Sequence, residues 1–143
     1  MNAKKKSKPA PQPAPSETIG ESGRYAYEGL DRTIHEKARL GILTSLAAHP
    51  SGLLFGDLKE LCSLTDGNLN RHLQTLQEAE LVEAWKRTQG TRPQTLLRLT
   101  ELGRRRLLEY ITELERVVAD AAAVQAALKS PPASRLQSGW TPA

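Results

Sequence analysis

The chain has 143 residues, with 20 Lys and Arg against 16 Asp and Glu for a net charge of +4. That is room for one domain with tails, and it excludes a multidomain enzyme. Two Trp, three Tyr and one Phe beside abundant Leu and Ala favour packed helices over a β-sandwich, and the single cysteine, Cys62, excludes an internal disulfide and points to a reducing, cytoplasmic setting.

Residues 1–29 are rich in Lys, Pro, Ser, Glu and Gly and nearly devoid of bulky aliphatic side chains, so they are expected to form a disordered Lys/Pro-rich arm. Lys4, Lys5, Lys6 and Lys8 resemble the charged end of a signal peptide but run into alternating Pro and Ala rather than an apolar stretch. No run of about 18 apolar residues exists to span a membrane. The folded domain is expected over residues 30–128. A second disordered tail, 129–143, carries Pro131, Pro132 and Pro142 and leaves Trp140 as an unusual residue to find in water.

Within the domain, Asp31 can cap a first helix whose Ile34, Ala38, Ile42, Leu43 and Leu46 recur at helical spacing until His49-Pro50-Ser51-Gly52 stops it. Leu53-Leu54-Phe55, bounded by glycines, reads as a short strand, and Asp57 to Cys62 as a short helix with Leu58 and Leu61 inward. Thr65 can cap a third helix from Asp66 to about Glu80, with Leu69, Leu73 and Leu76 as its apolar stripe. Leu81 to Arg87 and Gln94 to Thr100 alternate at period two around the polar connection Thr88 to Pro93, which predicts a hairpin. Trp85 is expected against the core or the third helix, with Leu97 and Leu99 in the core. Thr100 then caps a helix running without proline to Leu128, about 43 Å long and longer than so small a domain can cover. This order predicts a mainly α fold with a small β-hairpin: a winged helix-turn-helix with a long C-terminal dimerisation helix over 100–128.

Asp31 to Leu128 is electrically balanced, yet Lys86, Arg87, Arg92, Arg98, Arg104, Arg105 and Arg106 crowd a segment in which Glu101 is the sole acid. One face is therefore expected to meet an anion. With Leu69, Leu73 and Leu76 inward, the third helix turns out Gly67, Asn68, Asn70, Arg71, Gln74 and Thr75, a polar face without a carboxylate. Arg, Asn and Gln are the side chains whose paired donors and acceptors match base edges in the major groove. Lys86, Arg87, Thr91 and Arg92 at the hairpin tip suit a minor groove or phosphates.

The stretch Leu64-Thr65-Asp66-Gly67-Asn68-Leu69-Asn70-Arg71-His72-Leu73, followed by Leu76 to Val82, resembles the helix-turn-helix core of the MarR/ArsR-type bacterial winged-helix regulators. Ile34 to Leu43 is similar to their first helix, and Arg98-Leu99-Thr100-Glu101-Leu102-Gly103-Arg104 to their junction after the wing. The resemblance implies a recognition helix that sets Asn68, Asn70, Arg71 and Gln74 against DNA. The chain departs from the pattern at Glu80, where the family usually has Gly, and at Asn70, where Ser is commoner.

Leu107, Ile111, Leu114, Val118, Ala121, Gln125 and Leu128 step by four and three along the last helix, a heptad seam flanked by Tyr110, Val117 and Val124. Such a seam is expected at a homodimer interface, giving two recognition helices and a roughly palindromic site on double-stranded DNA. No Gly-rich phosphate loop follows a strand and no nucleophile sits in a familiar motif, so neither catalysis nor a cofactor is expected. Cys62, His35, His49 and His72 lack paired ligand spacing, so no metal site is expected. A winged helix that docks a protein through its long helix without binding DNA, and a metal-responsive regulator using Cys62 and His72, are the alternatives.

Overall fold

In the computed structural model, which describes residues 22–132, 136 and 138–143, seven elements follow one another. They are α1 (Lys37–Ala47), β1 (Leu53–Leu54), α2 (Phe55–Cys62), α3 (Asp66–Glu78), β2 (Val82–Gln89), β3 (Arg92–Leu99) and α4 (Glu101–Lys129). The mainly α winged helix with a long last helix is thus the observed fold.

Helix α1 starts later than the Asp31 cap predicted. Glu36 is its cap, accepting the Arg39 N–H at 2.9 Å. Asp31 instead opens a set of turns, accepting the Thr33 N–H at 2.8 Å and pairing with Arg106 of α4. Partial burial raises the Asp31 pKa, but the hydrogen bonds from Arg106 and Thr33 outweigh it and hold the carboxyl below its ordinary value. The turns let Ile34 reach the core, where it is fully buried with Ile42, Leu43 and Leu46.

Phe55 opens α2 rather than ending the strand, because β1 finds partners only at Leu97 and Leu96 of β3. Phe55, Leu58 and Cys62, spaced by three and four, are the α2 residues that meet the core. Leu61, expected inward, is displaced from that stripe and is 57% exposed.

Thr65 caps α3, its hydroxyl accepting the Asn68 N–H at 3.2 Å, and Leu69, Leu73 and Leu76 are buried. The helix stops at Glu78, two residues before the predicted end. Glu80 adopts a left-handed backbone, φ +64. Its N–H bonds to the Gln77 carbonyl at 2.9 Å, and the Leu81 N–H bonds to the Leu76 carbonyl at 2.9 Å. This is the paired closure that glycine usually supplies, made here by a residue that bears a Cβ.

The three strands form one antiparallel sheet in the order β1-β3-β2. Pairing runs from Val82 opposite Leu99 to Gln89 opposite Arg92. The strands therefore extend through most of the predicted loop and leave a two-residue turn in which Gly90 has φ +66, the sign required at the first central position of a tight hairpin. Since Ala84 opposes the buried Leu97, Trp85 opposes Leu96 on the other side of the sheet. Trp85 is accordingly 55% exposed, contrary to the core position predicted, with the Arg98 guanidinium 5.9 Å from its ring centre.

Thr100 joins the sheet to α4. Its hydroxyl accepts the Gly103 N–H at 2.8 Å and donates to the Glu80 carbonyl at 2.7 Å, while its own N–H donates to the Leu81 carbonyl at 3.0 Å. Gly103 lies so close that an added Cβ would stand 2.1 Å from that Leu81 oxygen.

The disorder expected for residues 1–29 lies outside the described residues up to residue 21, and from residue 22 the chain is a strap of turns along α4. Arg24 donates to both Asp120 oxygens, at 3.0 and 2.8 Å, and the Tyr27 hydroxyl donates to Asp120 at 2.6 Å. These bonds, Arg24 first and Tyr27 second, hold the Asp120 pKa down to about 2. The tail expected from 129 begins one residue later, since Lys129 ends α4, and its residues 133–135 and 137 lie outside the described residues.

Candidate nucleic-acid interface

The stripe of Leu69, Leu73 and Leu76 faces inward, so the periodicity of α3 turns Gly67, Asn68, Asn70, Arg71 and Gln74 to solvent, with Thr75 half-buried at the margin. The face is organised before any ligand arrives. Arg71 donates to Asn68 Oδ1 at 2.9 Å, which draws its guanidinium back along the helix towards Asn68. Gln74 reaches the Glu78 carboxylate at 3.3 Å, and the Thr75 hydroxyl donates to the Arg71 carbonyl at 3.3 Å. Between Gly67 and Thr75 the helix carries no carboxylate, whereas Asp66 opens it and Glu78 completes the far end of the outer face.

A contact absent from the sequence reading prepares the near end. Lys59 of α2 meets Asp66 at 2.9 Å, and this bond raises the Lys59 pKa. The pair neutralises the carboxylate that opens α3. The sequence signal was a Lys and an Asp either side of the helix-turn-helix bend, seven residues apart, readable only once the angle between the two helices is known.

On its inner side α3 is fastened by His72, nearly buried, whose Nδ1 lies 3.4 Å from the Arg39 guanidinium and 3.9 Å from Glu36. Cys62 faces elsewhere, 3.7 Å from the Ser45 hydroxyl. Among the described residues no group of three His, Cys, Asp or Glu side chains could hold a metal ion.

Lys86, Arg87, Thr91 and Arg92 are all exposed on the hairpin. Arg87 is steered by neutral acceptors, Gln94 at 2.9 Å and Gln89 at 3.2 Å, which orient its charge without cancelling it. Glu83 and Arg98 pair at 3.0 Å at the base of the wing, leaving the tip purely cationic.

The predicted seam of α4 divides in two. Leu107 is only 4% exposed because it belongs to the core of its own chain, so it is not available to a partner, and Leu114 packs partly against that core. Ile111, Val118, Ala121, Gln125 and Leu128 are exposed. At 100° per residue, Ile111 and Val118 point away from the residues that carry the strap: Asp120, Glu113, which accepts the Gly29 N–H at 3.3 Å, and Arg116, which donates to the Arg24 carbonyl at 3.1 Å. The strap therefore leaves the open seam clear.

Residues 38–118 match the family described as winged helix DNA-binding domain. A stretch of 60 residues is 42% identical to the uncharacterized protein MJ0432 of Methanocaldococcus jannaschii; it is 42% of this chain and spans 65% of that relative's length. The transcriptional regulator homologue protein from Pyrococcus horikoshii OT3 has a similar structure, with a TM-score of 0.58 at 26% identity over 62% of this chain and 86% of the other. MepR of S. aureus, in its complex with DNA, shares the fold with a TM-score of 0.54 at 20% identity, covering 73% and 89% of the two chains. YusO from Bacillus subtilis does so at 0.56 and 20%, covering 71% and 79%.

Proposed function

We propose that the chain, which belongs to the winged helix DNA-binding domain family, is a non-enzymatic, sequence-specific transcriptional regulator that reads double-stranded DNA as a two-fold homodimer. The observation that carries this reading is the outer face of α3, where Arg71, Asn68, Asn70 and Gln74 stand exposed, with Arg71 held by Asn68. Arg71 is the candidate guanine reader, and Asn70 and Gln74 are candidate adenine readers. Gly67 gives the backbone room to approach phosphate, an added Cβ there meeting nothing within 4 Å. Lys86, Arg87, Thr91 and Arg92 follow the flanking groove and its phosphates. Pairing through Ile111, Val118, Ala121, Gln125 and Leu128 removes exposed apolar area from water.

Selection of bound sequences from a random duplex pool tests the reading. A roughly palindromic consensus is the expected result, and Arg71→Ala should then cost about 1 to 3 kcal/mol on that sequence while relaxing one base position. With six to ten phosphates met per dimer, affinity should fall roughly a thousandfold or more from low to physiological salt. No retention of duplex at either salt, or an Arg71→Ala protein as selective as the parent, overturns the assignment.

A further inference from the structure

Besides the α4 seam, the described residues include two further apolar surfaces open to a partner. One is a groove between α1 and α2 of about 1220 Å3, lined by Leu40, Gly41, Ala48, Leu61 and Leu64, with Tyr110 of α4 on its wall. The other is the C-terminal tail, in which Trp140 is 72% exposed and Leu136 is as open. An indole is a large apolar surface with one polar atom, a side chain that anchors contacts far more often than it decorates solvent.

We propose that Trp140 of one subunit anchors the tail in the α1/α2 groove of the other subunit, an inference that rests on the two-fold pairing through α4 proposed above. Reach decides between the two copies of the groove. Past Tyr110, α4 continues to Lys129, carrying the start of the tail about 28 Å away from its own groove at 1.5 Å per residue. From Ser130 to Trp140 the chain spans at most about 33 to 36 Å when fully extended. Filling its own groove would force the tail to run back almost straight.

In a pair the distance collapses. The exposed apolar residues of α4 run from Leu108 to Leu128, with Val118 at their midpoint. An antiparallel crossing at Val118 brings Leu128 level, along the axis, with residue 108 of the second copy. The tail then departs within about 6 Å, along the helix axis, of that copy's Tyr110, and ten residues bring Trp140 into the groove with slack to spare. Pro131 and Pro132 stiffen the departure and keep it from continuing the helix. Leu61, left out of the α2 stripe, gains the apolar neighbour it lacks.

The test uses the full chain with Trp85→Phe, which leaves Trp140 as the sole tryptophan. Sedimentation fixes the concentrations at which the protein is dimer or monomer. In the dimer, Trp140 emission should move to shorter wavelength and acrylamide quenching should weaken, and both should revert on dilution to monomer. Leu61→Asp, at an exposed position, should return the dimer's emission to that of free indole with the far-ultraviolet circular dichroism unchanged. Trp140→Ala should raise the dimer dissociation constant about tenfold or more. A dimer whose Trp140 is as accessible as in the monomer overturns the anchor and leaves the pairing intact. A shielded Trp140 in the monomer also overturns it, since the groove would then be filled from its own chain. A chain that stays monomeric at every concentration overturns the pairing itself.

Discussion

Helices α3 and α4 begin alike, each under a threonine cap, and differ in what they leave exposed. Every apolar residue of the α3 stripe is spent on the core, so its solvent side is polar by construction and suits a polar, hydrogen-bonding ligand. In α4 only Gly103, Leu107 and Tyr110 of the first turns are buried, and on the side away from the strap Ile111, Val118 and Leu128 are in water. A completed helix shows what it can read, and an incomplete one shows what it still lacks. The two are tied together at Leu81, which accepts from Thr100 and abuts Gly103.

The strongest way to break the comparison is at that tie. Gly103→Ala drives a methyl group into the Leu81 carbonyl, a neighbour that belongs to the backbone and cannot rotate aside. The expected loss is about 3 kcal/mol in urea unfolding, with DNA binding and self-association falling together. Val118→Glu separates the helices instead. At a position 61% exposed it should change monomer stability by less than about 0.5 kcal/mol, yet sedimentation should show the dimer lost, because a buried carboxylate would face its own copy. Glu80→Gly sharpens the end of α3: removing a Cβ from a left-handed residue should stabilise the fold by about 1 kcal/mol, seen as a higher melting temperature.

The smallest effect concerns the strap. The folded Asp120 pKa, about 2, lies below the ordinary value near 3.9, so its contribution is complete above about pH 4 and is lost as pH falls through 2. Proteolytic protection of residues 24–29 should decline across that window and be weak at every pH in Asp120→Asn. Undiminished protection of the variant would detach the strap from this carboxylate.

Much of this was legible because local signals and burial agree. Thr65 and Thr100 announce their helices by capping chemistry that depends on neighbours three residues away, and the Leu stripe of α3 allows one orientation only. Asp31 misled because a side-chain cap also serves a turn, and what placed it was Arg106, distant in the chain. Trp85 misled because size argued for burial while strand parity argued against it. With Leu97 inward, pairing makes Ala84 its neighbour and sends the indole out. The heptad in α4 was visible, but whether Leu107 serves its own core or a second chain depends on where the domain ends, a tertiary property with no local signature.

The joint around Thr100 has a mechanical consequence. With two hydrogen bonds and a glycine contact spanning only a few residues, the joint resists any change in the angle between α3 and α4. In the proposed dimer, paired α4 helices would then hold their two α3 faces like the jaws of a locked caliper, set to one opening. Tolerance for altered spacing between half-sites would have to come from bending of the duplex rather than from the protein.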